Sequence, residues 1–138
     1  RAEGFLRFFK EKQNCGCQGH VIFGVCDIES AYSQTMNILA QSENNRPDAI
    51  FISGDERAMG VYRAIYEMGL SIPDDIAVLG IDNIQMGEFY HPPITTIDLS
   101  IPLIAKHAFE ILHDQLEKNE RTSRRMIIAP SIMERESV

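Results

Sequence analysis

The 138 residues are enough for one domain or for part of a larger one, and the 44% apolar content can form a buried core. The chain has 13 basic and 20 acidic residues and a net charge of −7, which excludes a domain that grips nucleic-acid phosphates by itself. No apolar run approaches the roughly 18 residues of a membrane span, and the charged, amphipathic start does not have the pattern of a signal peptide.

The first half of the chain predicts helices and strands in alternation. Four large apolar residues lie among charges in residues 1–13, which predicts a helix that a glycine-rich segment ends. Residues 21–26 form a short apolar run rich in β-branched residues, a predicted strand. Apolar residues at helical spacing in 30–42 predict a second helix, and the continuous apolar run at 49–52 predicts a second strand.

The next two elements complete a repeating pattern. Helical spacing from Met59 to Met68 predicts a third helix, with Gly69 as its C-cap. Residues 76–81 predict a third strand. Strands separated by helices favour the α/β class, in a three-layer αβα arrangement with a mainly parallel sheet. The strands are apolar on successive residues, which is typical of strands covered on both faces.

After Asp82 the pattern becomes irregular, since Pro92 and Pro93 interrupt it. Ser100 is a predicted N-cap for a helix with a broad apolar stripe on one face. The predicted elements of this part are at most a short helix at 84–90, a brief strand at 94–97, the helix from Ser100 to about Lys118, and short strands at 126–129 and 131–136.

Polar residues follow each of the three predicted strands, where ligands of open parallel sheets bind. Carboxylates and amides at this edge suit the hydroxyl groups of a neutral polar ligand. Alternatively, Asp55 and Ser30 are N-caps, which we favour for these two, and Asp82 bonds its own turn; for Asp82 we favour the ligand role slightly. The three clusters are Asp27 with Glu29 and Ser30, then Ser53-Gly54-Asp55, and Asp82-Asn83.

The sequence has no nucleophile elbow, phosphate-binding loop or dinucleotide fingerprint, so we expect neither an enzyme nor a cofactor. An α/β enzyme that uses Asp82 or Asp55 is the rival hypothesis, but it lacks a nucleophile–base pair. Cys15 and Cys17 with His20 are an incomplete zinc site, because zinc requires four ligands. Reduced thiols are the preferred interpretation, and three cysteines fit a reducing compartment.

Five segments, in order and suitably spaced, resemble the lac/galactose/purine repressor family of bacterial transcription regulators. They are Arg1-x-x-Gly4-Phe5, "PDAIFISGDERAMG", "IPDDIAVLGIDN", "HPPITTIDLS" and the closing "ERESV". The resemblance is to the effector-binding core, which is related to periplasmic sugar-binding proteins, and it implies that most of this chain is the C-terminal lobe. It divides the chain into that lobe at 1–97, a crossover helix at 98–119 that packs on an N-terminal lobe outside this chain, and returning strands of the C-terminal lobe at 120–138.

The resemblance also implies effector contacts. Arg1 matches an arginine that reaches into the interlobe cleft, and its guanidinium offers several fixed donors. Asp82 matches an acid that contacts hydroxyl or ring-nitrogen donors. Gly54 replaces the asparagine of many family members and Leu99 the glutamine that sugar binders often carry, so a phosphorylated, larger or non-sugar effector stays open. The predicted effector-binding residues are Arg1, Asp27, Gly54, Asp55 and Asp82.

The predicted function is therefore effector sensing and dimerisation in a cytoplasmic repressor. The effector is a small polar molecule, with a sugar or sugar derivative favoured, and its binding closes the cleft. Operator DNA is contacted only through a helix-turn-helix domain outside this chain, and no membrane is involved. The alternative is a solute-binding receptor of the same fold that delivers a sugar to a transporter. The family's homodimer interface corresponds here to Met59, Arg63, Tyr66, Phe89 and Tyr90.

Overall fold

The computed structural model describes residues 1–12, 16–41, 46–118 and 123–138. Helices and strands alternate along the chain, as predicted from the apolar periodicity. In chain order the elements are α1 (Ala2–Glu11), α2 (Ile28–Leu39), β1 (Ala49–Phe51), α3 (Asp55–Glu67), β2 (Ala77–Ile81), the 3₁₀ helix η1 (Gln85–Phe89), β3 (Thr95–Asp98), α4 (Ile101–Lys118) and β4 (Ser131–Met133).

The described strands form one open sheet in the order β1-β2-β3-β4. β1 pairs with β2 and β2 with β3 in parallel, with Ile50 opposite Val78 and Leu79 opposite Thr95. β4 pairs with β3 in the antiparallel direction. The α/β class with a mainly parallel sheet is confirmed, and β1-α3-β2 is a βαβ unit.

Helices α2 and α3 pack against each other over one face of the sheet. Gly60 lets them approach closely, because a Cβ atom there would lie 2.2 Å from the carbonyl oxygen of Ile28. Each large apolar side chain that becomes fully buried contributes about 1.5–3 kcal/mol. The core consists of Ala31, Leu39, Ile52, Ala58, Val61, Tyr62, Ile65, Ile72, Ile76, Val78 and Ile94.

Helix α3 ends at Glu67, with Met68 as its C-cap, and the predicted glycine, Gly69, is the residue after the cap. Gly69 has a φ of +71°, which a glycine adopts without steric cost. Its N–H donates to the Tyr66 carbonyl at 3.0 Å, and the Leu70 N–H donates to the Ile65 carbonyl at 3.1 Å. This pair of bonds is a Schellman motif, which satisfies carbonyl groups that the helix itself leaves unpaired.

Two predicted strands are absent, each for a physical reason. Residues 21–26 pair with no other strand, because Gly24 has a φ of +86° and interrupts the extended backbone. Residues 126–129 form no strand either. The partner of β4 is β3, which ends at Asp98 opposite Ser131, so residues before Ser131 have no strand beside them. The final strand is correspondingly shorter than the predicted 131–136.

Helix α4 has the predicted extent, and Ser100 occupies the N-cap position. The Ser100 carbonyl accepts hydrogen bonds from the N–H groups of Leu103 at 2.9 Å and Ile104 at 3.0 Å. None of its residues is buried within the described chain, and Leu116 is 73% exposed. Its apolar stripe therefore packs on nothing that the structure describes. Across the described ranges, no helix combines the length and the apolarity that crossing a membrane requires.

Candidate functional site

Arg1 and Asp82, two of the predicted effector-binding residues, lie close to each other at the carboxyl end of the parallel strands. The Arg1 Nη1 atom donates to the hydroxyl of Ser53 at 3.0 Å, and Arg1 Nη2 lies 3.9 Å from Asp82 Oδ1. Ser53 follows β1 and Asp82 follows β2. About half of the Arg1 side chain and 39% of the Asp82 side chain are exposed. The edge thus presents a cation, a hydroxyl and an anion with free hydrogen-bonding capacity.

The backbone turns sharply at Asp82 and Asn83, which we call the Asp82 corner. Asp82 has a φ of +115° and Asn83 a φ of +51°, values that L-residues adopt at a cost of about 1–3 kcal/mol each. The two side chains have different roles. The Asp82 carboxylate lies at the exposed edge, whereas the Asn83 Oδ1 atom accepts a hydrogen bond from Arg135 at 3.0 Å.

Asp55 has no exposed surface, so the prediction that it contacts an effector does not fit this structure. Its Oδ1 and Oδ2 atoms lie 2.8 and 2.9 Å from the Thr96 hydroxyl, and Oδ2 also accepts from the Ile84 N–H at 3.1 Å. It is not an N-cap either. Gly54 occupies that position, and Asp55 is the first residue of α3. A buried carboxylate that already accepts these bonds is a structural anchor.

Gly54 affects the shape of the candidate site because it has no side chain. It has a φ of +133°, and a Cβ atom there would lie 3.8 Å from Asp82 Oδ2 and 3.6 Å from Arg57 Nη1. An asparagine at this position would be strained by the backbone conformation. The glycine therefore leaves open space between the guanidinium of Arg57 and the carboxylate of Asp82.

Asp27 caps α2 instead of joining the Arg1–Asp82 pair. Its Oδ1 atom accepts from the Ser30 N–H at 2.8 Å and from the Ser30 hydroxyl at 2.6 Å. These bonds, with a smaller contribution from Arg57, lower the pKa of the Asp27 carboxyl. Ser30 is at the N3 position of this capping box and is not the N-cap that was predicted. An open depression of about 350 Å³ borders these residues and is lined by Cys26, Asp27, Ile28, Glu29, Glu56 and Arg57.

Sequence reasoning missed Arg57, which connects the residue before the first polar cluster with the second cluster. Its Nε atom donates to the Cys26 carbonyl at 3.1 Å, and its Nη1 atom donates to the Ser53 carbonyl at 2.5 Å. One feature of the sequence points to Arg57. An arginine in the first turn of a helix opposes the helix dipole, so its position requires some other partner.

No metal centre is found in the part of the chain that the structure describes, where no group of three or more His, Cys, Asp or Glu side chains converges. The zinc hypothesis included Cys15, which lies outside the described residues.

The predicted dimer residues differ in their surroundings. Met59, Arg63 and Tyr66 follow one exposed face of α3, and Phe89 on η1 is 78% exposed. Arg63 is engaged within the chain, since its Nε atom lies 2.8 Å from Glu67 Oε1. Tyr90 is half-buried, and its hydroxyl donates to the Asp55 carbonyl at 2.9 Å. The exposed apolar part of this surface is thus Met59, Tyr66 and Phe89.

Tyr62 predicts a loss of stability at high pH. Burial raises the pKa of Tyr62 from 10.0 to about 12, so between these values the unfolded chain releases a proton that the folded chain keeps. The contribution of Tyr62 to the free energy of unfolding should be fully present below pH 10. It should decrease above pH 10, with a slope of up to about 1.4 kcal/mol per pH unit. Urea unfolding at several pH values tests this. The Tyr62→Phe variant should lose less stability over the same range, and an identical decline in both proteins would contradict the assignment.

Comparisons with known proteins agree over the whole chain. The family profile described as periplasmic binding protein-like domain matches residues 1–138. The HTH-type transcriptional repressor PurR of Edwardsiella ictaluri is 34% identical over 138 residues, which are all of this chain and 40% of the repressor. PurR of Pectobacterium carotovorum is 36% identical over 135 residues, 98% of this chain and 39% of that protein. The chain thus spans about two fifths of the length of these relatives.

Solved structures show the same similarity in three dimensions. A LacI family transcriptional regulator from Lactobacillus casei with bound sucrose is 26% identical, with a TM-score of 0.84 over 100% of this chain and 50% of that one. A regulatory protein of LacI family from Chloroflexus aggregans is 28% identical, with a TM-score of 0.88 over 99% of this chain and 49% of that one.

Proposed function

Because the chain belongs to the periplasmic binding protein-like family, within its lac/galactose/purine repressor branch, we propose that it is one lobe of the effector-sensing core of a transcription repressor. The observation that carries the proposal is the grouping of Arg1, Ser53 and Asp82 at the exposed carboxyl edge of the sheet. We propose that these three side chains contact the effector.

The chemistry of this edge favours a small polar effector that is neutral overall. Arg1 supplies donors, Asp82 supplies acceptors, and their charges are opposite, so neither an anion nor a cation is favoured strongly. A carbohydrate is the first class to test, because a LacI family regulator that resembles this chain was solved with bound sucrose. A purine base is the second, because the chain also resembles PurR repressors.

We further propose that residues 98–119 cross to an N-terminal lobe outside this chain and that residues 120–138 return. Two features support this assignment. Helix α4 has an apolar stripe but no buried residue, and β4 lies back on the sheet beside β3. Homodimerisation through the surface around Met59, Tyr66 and Phe89, a cytoplasmic location and binding to operator DNA through a separate domain belong to the same proposal. Effector binding would then shift an equilibrium between two arrangements of the lobes.

Calorimetric titration of the protein from its complete reading frame tests the proposal. The probes are sucrose, glucose, adenine and guanine. For whichever probe binds, Arg1→Ala and Asp82→Asn should each weaken binding about 10-fold or more, because the first removes the guanidinium donors and the second replaces a charged acceptor with a neutral amide. Arg7→Ala is the matched control: Arg7 is on α1, the helix that Arg1 precedes, its side chain is 76% exposed, and it pairs with Glu11 at 3.6 Å. Binding by both site variants at wild-type strength would exclude this edge as the effector site.

The reading frame upstream of Arg1 separates the repressor from a receptor that serves a transporter. A helix-turn-helix domain encoded there supports the repressor. A cleavable signal peptide would instead make the protein an exported receptor, with the same residues in a transport role.

A further inference from the structure

Two successive backbone N–H groups, that of Asn83 in the Asp82 corner and that of Ile84 directly after it, depend on one buried carboxylate. The Ile84 N–H donates directly to Asp55 Oδ2 at 3.1 Å. The Asn83 N–H donates to the Thr96 hydroxyl at 3.3 Å, and this hydroxyl lies 2.8 Å from Asp55 Oδ1 and 2.9 Å from Oδ2. Thr96 therefore accepts from the corner and donates to Asp55, so that the second N–H reaches the same carboxylate through one side chain.

The Asp55 carboxylate is buried, and it therefore needs all of its hydrogen-bond donors. Asp55 and Thr96 are both 0% exposed, and a carboxylate without hydrogen bonds would be costly there. Asp55 is in the first turn of α3, where the helix dipole stabilises a negative charge. Among the described residues, no buried side-chain nitrogen or oxygen lacks a partner. The carboxylate is thus fixed in position, and it fixes the groups that donate to it.

A second charged side chain holds the other side of the corner. Arg135 is only 13% exposed, and its guanidinium donates to the Asn83 side chain at 3.0 Å and to the Ile94 carbonyl at 2.8 Å. Asn83 is therefore held through both its backbone and its side chain. These contacts can offset the steric cost of two successive L-residues with positive φ.

We infer that Asp55 and Thr96 are positioning residues, which hold the corner in its left-handed conformation and thereby aim the Asp82 carboxylate at the effector. The inference rests on the proposed function for its second half only. Neither residue contacts the effector. Their effect on binding comes through the direction in which the backbone of Asp82 presents its side chain.

Thr96→Val tests the inference, because it removes the hydroxyl that links the Asn83 N–H to Asp55 and nearly preserves side-chain volume. Thr35→Val is the matched control. Thr35 is also a buried threonine, 4% exposed, and its hydroxyl donates to the Ala31 carbonyl at 2.7 Å in α2, away from the corner. Thr96→Ser keeps the hydroxyl and should restore the wild-type behaviour.

Two readouts separate positioning from a general loss of stability. The first is the exchange rate of the Asn83 and Ile84 amide hydrogens, measured by NMR, which needs no effector. The second is calorimetric titration with sucrose, glucose, adenine and guanine. In Thr96→Val both amides should exchange at least about 10-fold faster than in Thr35→Val, and binding of the active probe should weaken about 10-fold. Urea unfolding of each variant measures its global stability, so that changes in exchange and binding can be compared with any general loss of stability.

The outcomes distinguish this inference from the proposed function. If Thr96→Val and Thr35→Val exchange equally fast at the corner, the positioning role is excluded whether or not a probe binds. If the corner amides exchange faster but a binding probe is held as tightly as before, the link from corner to effector is excluded. If no probe binds the wild type, the proposed effector classes fail, and faster exchange still supports the role of Asp55 and Thr96 in holding the corner.

Discussion

Replacing Gly80 by alanine is expected to destabilise the protein by about 3–5 kcal/mol, the usual cost of leaving a buried charge without its partners. A Cβ atom at Gly80 would lie 2.0 Å from Asp55 Oδ1 and 3.0 Å from Ile94 Cδ1. Asp55 would have to move, and it cannot do so without breaking its bonds to Thr96 and Ile84. The damage thus comes from a displaced carboxylate and not from a conformational need for glycine, since Gly80 is part of strand β2.

Urea unfolding followed by circular dichroism measures this effect, and Gly4→Ala is the matched control. No atom lies within 4 Å of a Cβ placed at Gly4, which is inside α1. There the same substitution should stabilise the helix by up to about 1 kcal/mol. A Gly80→Ala protein as stable as the wild type would show that Asp55 is not anchored as described. If the clash is the cause, the double variant with Asp55→Ala and Gly80→Ala should be only slightly less stable than the single variant Asp55→Ala.

The fold was predictable from the sequence wherever apolar periodicity and glycine placement agree. The periodicity of α2 and α3 and the glycine at position 69 predicted both helices, although their ends shifted by up to four residues. The apolar run at 21–26 gave a false strand, because periodicity does not reveal that Gly24 has a positive φ. The run at 126–129 gave another, because a strand also needs a neighbour, and β3 ends too early to provide one.

The candidate site was predictable only in part. The rule that ligands bind at the carboxyl edge of a parallel sheet pointed to Asp82, the family resemblance pointed to Arg1, and the structure places the two side chains 3.9 Å apart. Asp55 could not be assigned in the same way. An aspartate between a glycine and a helix has the same local pattern whether it caps the helix, contacts a ligand or anchors a distant loop. Its partner Thr96 is 41 residues away, and this separation hides the contact from any local pattern.

The closing segment "ERESV" also makes contacts with residues far away in the sequence, which no local pattern reveals. Its residue Ser137 is expected to have a large effect on stability. Ser137 is 0% exposed. Its hydroxyl donates to the Val78 carbonyl at 2.5 Å and accepts from the Thr95 N–H at 2.8 Å. Its own carbonyl accepts from the Val78 N–H at 2.7 Å. The last residues of the chain therefore connect the beginnings of the two central strands, β2 and β3.

Ser137→Ala should lower the free energy of unfolding by about 2–4 kcal/mol, because it leaves one buried carbonyl and one buried N–H without partners at about 1–3 kcal/mol each. Ser131→Ala is the control, since Ser131 is exposed on β4 and the same hydroxyl is lost there. It should change stability by less than about 0.5 kcal/mol. Equal stabilities of the two variants in urea would mean that water replaces the Ser137 hydroxyl. The expected difference would instead show that Ser137 holds the amino-terminal ends of β2 and β3 together, at the edge of the sheet opposite to Asp82.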